Sequence, residues 1–387
     1  MNKRDFIKTL GTASLLPLVT PLPTFGTTSF FSKQKKVLIL GGRGFLGPTI
    51  VEAFIASGYD VTLLNRGKTN VHLFKNLPVI IADREKENKQ GLRTIAKKHK
   101  ETYWDIVVDT WQKSPKAVAD FLQEFKGQFG HYHYISTISV YDKWDKKYIQ
   151  EDEPLNPLPK FPETVEEHFR YAIRKTLAEE AIREHCKDFT IYRSHGIRSY
   201  RVGRPGNPDS EPFWPIRFFR GGEIILPNVQ NHHMQFTDAI SLANFVVHCS
   251  KSKIYGSFNV ANTPTPFKDY VSSLIHATQT PKKMHWIDGD FLIKNDIIPY
   301  KIMPFWRETP KGSYYFNVQK AISAGLVNRP MVEVISDQLE GYKHRYPNDD
   351  IVFGENINGQ QIKYYSSDKE KEIIKKWMLH TNKKNHE

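Results

Sequence analysis

The sequence predicts an α/β protein built on a doubly wound parallel sheet with a smaller C-terminal lobe, and three observations lead there. Short, continuous apolar runs recur along the first half of the chain, as strands buried on both faces require. A glycine-rich turn joins the first of these runs to a helix-compatible stretch. A long segment of good helix formers, Glu166–Arg183, then separates the fifth run from the remainder.

The first run is Val37–Leu40. It passes directly into Gly-Gly-Arg-Gly-Phe-Leu-Gly, residues 41 to 47, and then into Pro48–Ala56, a stretch compatible with a helix that Gly58 ends. Asp60–Leu64 reads as the second strand and Pro78–Ala82 as the third; Ile106–Asp109 and His133–Ser136 read as the fourth and fifth. Gly41, Gly44 and Gly47 therefore stand between a strand and a helix. At that place glycines allow a tight turn and let backbone approach a pyrophosphate, whose charge meets the helix N-terminus. This is a Rossmann-type dinucleotide site, with Arg43, Phe45 and Leu46 completing the loop.

The second strand ends in Asn65 and Arg66, where NAD-binding proteins usually place an acid that holds the ribose diol. Two guanidinium groups, Arg43 and Arg66, and no carboxylate suit a 2′-phosphate. The expected cofactor is NAD(P), with NADP favoured over NAD; the other reading of Arg66 is a cap on a surface loop.

Tyr171 and Lys175 lie four residues apart in the predicted helix and so share a face. A phenol is ordinarily too weak an acid or base near neutrality, its pKa being about 10. A neighbouring ammonium favours the phenolate and brings proton transfer into range. Tyr365 and Lys369 repeat the spacing, but they fall in a polar stretch with no serine-rich strand before them, so they are set aside.

The remaining features bound the function. The 387 residues suffice for more than one domain-sized unit, and two cysteines, Cys186 and Cys249, make no disulfide framework; both are expected as buried thiols. The net charge of +13 has no accompanying arginine-rich run or aromatic RNA-binding motif, so no nucleic-acid partner is expected. His232 and His233 have no third ligand at metal-site spacing. Phe213–Gly222 mixes aromatics with Arg217 and Arg220, either as a pocket wall for a polyhydroxylated ligand or as a core helix with two surface arginines. His195 is either a polar contact to substrate or a loop histidine.

Residues 1–32 read as a leader. Lys3, Arg4 and Lys8 precede the apolar, proline-interrupted Thr9–Val19, too short for a comfortable membrane span. The segment resembles a twin-arginine (Tat) signal with Lys3 in place of the first arginine. Export to the periplasm is expected, with the export machinery as a partner; a non-functional leader would leave the protein cytoplasmic. The expected organisation is a leader (1–32), a dinucleotide-binding domain (33–195), a mainly substrate-binding lobe (196–342, with 235–262 returning to the first domain) and a polar C-terminal tail with a helix (343–387).

From Val37 to about Tyr342 these motifs resemble the NAD(P)-dependent epimerase/dehydratase family, in the extended or atypical short-chain dehydrogenase/reductase group. The Gly-Gly-x-Gly-Phe-Leu-Gly loop and Asn65-Arg-Gly67 are similar to those of the branch holding chloroplast stem-loop-binding proteins and bacterial isoflavone-reductase-like or epimerase-like reductases. The resemblance implies that Thr137, in Ser136-Thr-Ile-Ser-Val-Tyr141, takes the catalytic Ser/Thr place, and that Asp83 contacts adenine. Sugar-nucleotide 4,6-dehydratases carry an Asp-Glu pair where Ile138 and Ser139 stand, which argues against that activity. Relatives usually read Arg-Pro-Gly where this chain has Arg193-Ser-His-Gly196, so substrate does not transfer from them.

The function implied is an NAD(P)-dependent oxidoreductase or epimerase acting on an alcohol or carbonyl carbon of a small, carbohydrate-like molecule, with Tyr171 as acid/base. The competing reading is a non-catalytic dinucleotide-binding protein with an RNA-binding or scaffolding role. For the leader, residues 1–36 fused to a reporter active only outside the cytoplasm are expected to give signal. Replacing Lys3 and Arg4 by Gln is expected to abolish it; a wild-type fusion that stays cytoplasmic removes the export expectation.

Overall fold

A computed structural model of the protein describes residues 34–84, 89–144, 146–158, 167–201, 212–299, 302–306, 315–349, 356–357, 360–361 and 364–384. The leader expected over 1–32 lies outside the described residues, as does 202–205 of the segment after Arg193.

The apolar runs become the strands β1 (Lys36–Leu40), β2 (Asp60–Asn65), β3 (Val79–Ile81), β4 (Trp104–Asp109), β5 (Phe129–Thr137) and β6 (Phe189–Ser194). A seventh strand, Gly256–Val260, joins them in the order (Gly256–Val260)-β6-β5-β4-β1-β2-β3. Every pairing in this sheet is parallel. Val37 stands opposite Val61 on one side and Ile106 on the other, and all three are buried. Parallel strands need helical crossovers, and these cover both faces. One face carries α1 (Gly47–Ala56) and helix Ala239–Ser252, packed through Ile50, Phe54, Leu242 and Val246. The other carries α2 (Lys89–Lys98), α3 (Pro115–Glu124) and α4 (Glu167–His185), packed through Leu92, Phe121 and Ile182.

Local chemistry sets the helix starts. Pro48 opens α1 with a pre-set φ, and Pro115 opens α3 behind Ser114, whose hydroxyl accepts from the Ala117 N–H at 3.4 Å. Asp238 caps Ala239–Ser252 by accepting from the Ser241 N–H at 2.9 Å. Just before that cap, Thr237–Asp238 pairs in parallel with Ile197–Arg198 as a separate two-stranded sheet.

A second apolar core gathers residues between Phe213 and Ile374. Its backbone is a parallel pair, Gly222–Pro227 with Lys282–Ile287, and helix Phe213–Arg220 buries Phe213, Trp214, Ile216 and Phe218 against it. Of the two readings of this segment, the core helix is the one observed. Its arginines are not idle surface groups: Arg217 pairs with Glu370 at 2.8 Å and Arg220 with Asp349 at 2.8 Å.

The stretch read as a polar tail also needs correcting. Helix Ser367–Lys384 drives Ile373 and Ile374 into the second core, beside Tyr364 and Tyr365. Its overall polarity conceals a narrow apolar stripe, because a surface helix needs only one face to dock. Cys186 and Cys249 are buried free thiols, as expected. Among the described residues, no helix is long and apolar enough to cross a membrane.

One contact fixes how helix Met331–Arg345 meets the sheet side of the molecule. A Cβ on Gly341 would lie 1.6 Å from the Tyr200 carbonyl oxygen, so only glycine lets this helix approach the strap that follows β6. Gly341→Ala is expected to cost at least about 2 kcal/mol through forced backbone movement and to lower Tm by several degrees in a thermal melt. Gly44→Ala, whose methyl meets nothing within 4 Å, is the control and is expected to leave Tm in place.

Candidate functional site

The sheet order reverses beside β1, which has β4 on one side and β2 on the other. In an open parallel sheet the loops at the carboxyl ends part at such a point and leave a crevice. A cavity of about 980 Å³ opens there. The loops after β1, β2, β3, β4 and β6 and the end of β5 all contribute to its wall, together with α4 and the end of helix Met331–Arg345.

Gly41, Arg43, Gly44, Phe45, Leu46 and Gly47 all line this cavity. The turn closes tightly on itself: a Cβ on Gly47 would stand 2.8 Å from the Gly42 Cα and carbonyl carbon. Gly44, in contrast, borders open space, which leaves room for a ligand against the backbone. Asn65 and Arg66 line the cavity at the end of β2, Arg66 being exposed. Asn65 turns its Oδ1 inward to accept from the Gly67 N–H at 2.9 Å.

Tyr171 and Lys175 line the same cavity from α4. Lys175 is only 2% exposed. Its ammonium donates to the Ile135 carbonyl at 2.6 Å and the Trp111 carbonyl at 2.7 Å, and stands 4.5 Å from the centre of the Tyr134 ring. Those two bonds leave one of its three N–H donors for the cavity. Burial lowers the pKa of this ammonium to about 7, against the opposing pull of Asp109 and Glu179.

Three of the residues named from sequence are not among those lining the cavity. Thr137 lies one step beyond lining Ser136, and its hydroxyl accepts from the Ser139 N–H at 3.2 Å to open the turn Ile138–Val140. Asp83 stands between lining Ala82 and Arg84. His195 also lies off the wall; its ring meets Phe316 edge-on at 5.9 Å and its Nδ1 accepts from the Gly196 N–H at 2.7 Å.

Sequence reasoning missed several lining residues. Arg84 makes a buried bidentate pair with Asp109 at 2.9 Å and reaches the Ala117 carbonyl at 2.9 Å, its guanidinium lying over Trp111. Thr110, Trp111, Gln112 and Lys113 line the cavity after β4, and Tyr200, Arg201, His344 and Arg345 close it from the C-terminal half. The one available signal was position: Thr110 and Trp111 directly follow a predicted strand at its carboxyl end. Nothing in the sequence brings residue 344 to residue 44.

The wall has a single sign of charge. Arg43, Arg66, Lys68, Lys113, Arg201 and Arg345 contribute to it, and among the described lining residues there is no Asp or Glu. Buried donors also lack acceptors: Arg43 Nε, Asn65 Nδ2, Arg84 Nε and Trp111 Nε1 have none, and all four side chains belong to lining residues. Buried N–H groups are rarely left so in a finished structure. A dinucleotide, anionic and rich in acceptor oxygens, fits a wall of this character.

The family model of the NAD dependent epimerase/dehydratase family matches residues 37–261. The chain belongs to that family. The match starts at the first buried strand and ends just past the seventh, so it spans every strand of the large sheet. Comparison with curated proteins gives no significant match. Among solved structures, the Bordetella bronchiseptica enzyme WbmH in complex with NAD+ is 18% identical, with a TM-score of 0.59 over 80% of this chain and 99% of that one. Thermotoga maritima UDP-glucose 4-epimerase with UDP-glucose is 16% identical, with a TM-score of 0.56 over 80% and 99%. Vestitone reductase from alfalfa is 16% identical, with a TM-score of 0.57 over 81% and 99%. At these identities the likeness concerns the fold.

Proposed function

We propose that this chain is an NAD(P)-dependent oxidoreductase or epimerase, with NADP favoured over NAD, acting on an alcohol or carbonyl carbon of a carbohydrate-like small molecule. One observation carries the reading: Tyr171 and buried Lys175 share a single cavity with the glycine turn. Gly41, Arg43, Gly44, Phe45, Leu46 and Gly47 would hold the pyrophosphate, with Asn65 and Arg66 at the adenosine ribose and Arg84 nearby. A nicotinamide bound there would take a hydride from a carbinol carbon or deliver one to a carbonyl.

The protein's own share is proton handling and orientation. Tyr171 takes the hydroxyl proton, or returns it, on the face of α4 that the ammonium of Lys175 occupies one turn later. That ammonium favours the phenolate by its charge, and its anchorage on two carbonyls sets its direction. Thr137 is proposed to steady the reacting oxygen, with the hydroxyl of lining Ser136 as its neighbour. The preference for the 2′-phosphate rests on Arg43, exposed Arg66 and the missing carboxylate at the end of β2. Together with the exported location proposed from the leader, this favours a cofactor reduced and reoxidised within one turnover, as epimerisation allows.

Tyr171→Phe keeps the ring and removes the hydroxyl. Cofactor affinity is expected to stay near normal while turnover falls on the order of 10²–10⁴-fold, read against a panel of sugars and simple alcohols. Tyr365→Phe, in the second core, is expected to leave turnover unchanged. Full activity in Tyr171→Phe would sink the mechanism, and RNA binding with a steep salt dependence would then favour the binding-protein reading.

Cofactor choice has its own measurement. Arg66→Asp is expected to weaken NADP binding relative to NAD, because a carboxylate repels the 2′-phosphate and accepts from the free diol. A wild type that prefers NAD, together with an unchanged mutant, would overturn the assignment of this loop.

A further inference from the structure

Behind the cavity wall lies a carboxylate that the chemistry above does not use. Glu179 is buried on α4, one helical turn beyond Lys175 and two beyond Tyr171, so the three residues form one stripe. Its oxygens accept from Ser136 Oγ at 2.6 Å, Arg193 Nη2 at 2.9 Å and Arg183 Nη2 at 2.8 Å. Arg193 is fixed in turn, donating to the Tyr141 hydroxyl at 3.0 Å and the Glu151 carbonyl at 2.8 Å. Tyr141 then donates to Asn259 Oδ1 at 2.5 Å.

The end of β5 links this carboxylate to the lysine. The Ile135 carbonyl accepts from the Lys175 ammonium, and the next residue, Ser136, donates its hydroxyl to Glu179. Two consecutive residues at the end of one strand are thus tied to residues a helical turn apart on α4.

Charge leads to the same pair. The ammonium feels Asp109 on β4 and Glu179 on α4, which favour its charge, and Arg174 on α4, which opposes it; the Tyr134 ring on β5 lies under it, and Tyr171 stands one turn earlier on α4. Asp109 is itself paired with Arg84, and Glu179 with Arg193, which leaves the Lys175 ammonium as the excess buried charge. Burial alone would raise the pKa of the Glu179 carboxyl, but Arg193 and the hydrogen bonds outweigh it and hold the carboxylate ionised.

We propose that Glu179 is a positioning residue for the Tyr171/Lys175 pair: it fixes the strand end that anchors the ammonium and supplies a negative charge that keeps the ammonium protonated. This rests on reading the cavity as a dinucleotide site. Glu179 touches neither cofactor nor substrate. Its effect is exerted on a cation that must stay charged while buried.

The test follows NADPH binding by fluorescence as a function of pH and needs no substrate. In the wild type, affinity for this anion is expected to fall as pH rises through neutrality and Lys175 loses its proton. His72 and His344 also line the cavity, so the limb is assigned by Lys175→Met, which is expected to remove it. Glu179→Gln leaves Arg193 uncompensated, and the limb is expected to move about one pH unit to the acid side. Arg193→Met leaves the carboxylate with Arg183 and Ser136, and the limb is expected to move the opposite way.

Opposite shifts from the two halves of one ion pair are a result that a purely structural role does not produce. If Glu179→Gln fails to fold, Arg193→Met carries the test alone. A limb that stays in place in folded variants, or moves the same way in both, overturns the proposal. Failure of the underlying reading looks different: the wild type would then bind neither NADPH nor NADH at any pH, and the proposal would fall with it.

Discussion

Charged side chains taken out of water at the carboxyl edge of the sheet constrain much of this structure. Arg84, Asp109, Lys175, Glu179 and Arg193 are all buried there. An unpaired buried charge is costly, and breaking a buried pair by removing one partner costs several kcal/mol. Each of these charges therefore needs a partner at a set distance, and the partners come from different elements. Arg84 ties the loop after β3 to β4, Arg193 ties β6 to α4, and Lys175 ties α4 to the ends of β4 and β5. The wall of the cavity is thus held by charge satisfaction as much as by apolar packing.

The sheet itself rests on a simpler rule. Apolar runs of four to six residues cannot face water on either side, so helices must cover both faces, and the two core clusters against the sheet record that covering. The second core is a separate solution to the same problem, built on a parallel pair of strands and closed by helix Ser367–Lys384. Glu370 shows how it is locked: one oxygen pairs with Arg217, and the other accepts from the Ile225 N–H at 3.1 Å. A stretch with many charges can still be structural when its few apolar and acidic residues fall on one helical face.

Function follows from where these constraints leave open space. The sheet reversal beside β1 makes the crevice, Gly47 permits the tight turn at its floor, and Gly341 lets a distant helix reach its rim. Between them lies a wall with cationic side chains and unfilled N–H donors. Tyr171 and Lys175 line this cavity from a helix whose buried stripe continues to Glu179.

The sequence by itself determined what depends on near neighbours. The run Val37–Leu40, the turn from Gly41 to Gly47, the end of β2 at Asn65 and the Tyr171/Lys175 face were legible because strand burial, turn geometry and helical periodicity act over a few residues. The lining residues Ser136, beside Thr137, and Arg84, beside Asp83, emerged only once the strands and loops were placed around the cavity. Tertiary structure alone decided the rest: that Arg84 meets Asp109, that Glu179 meets Arg193, and that Tyr200 and His344 close one cavity. Those contacts join segments from 14 to well over 100 residues apart. Their partners are chosen by where the sheet and helices place buried charge, and no local spacing encodes that choice.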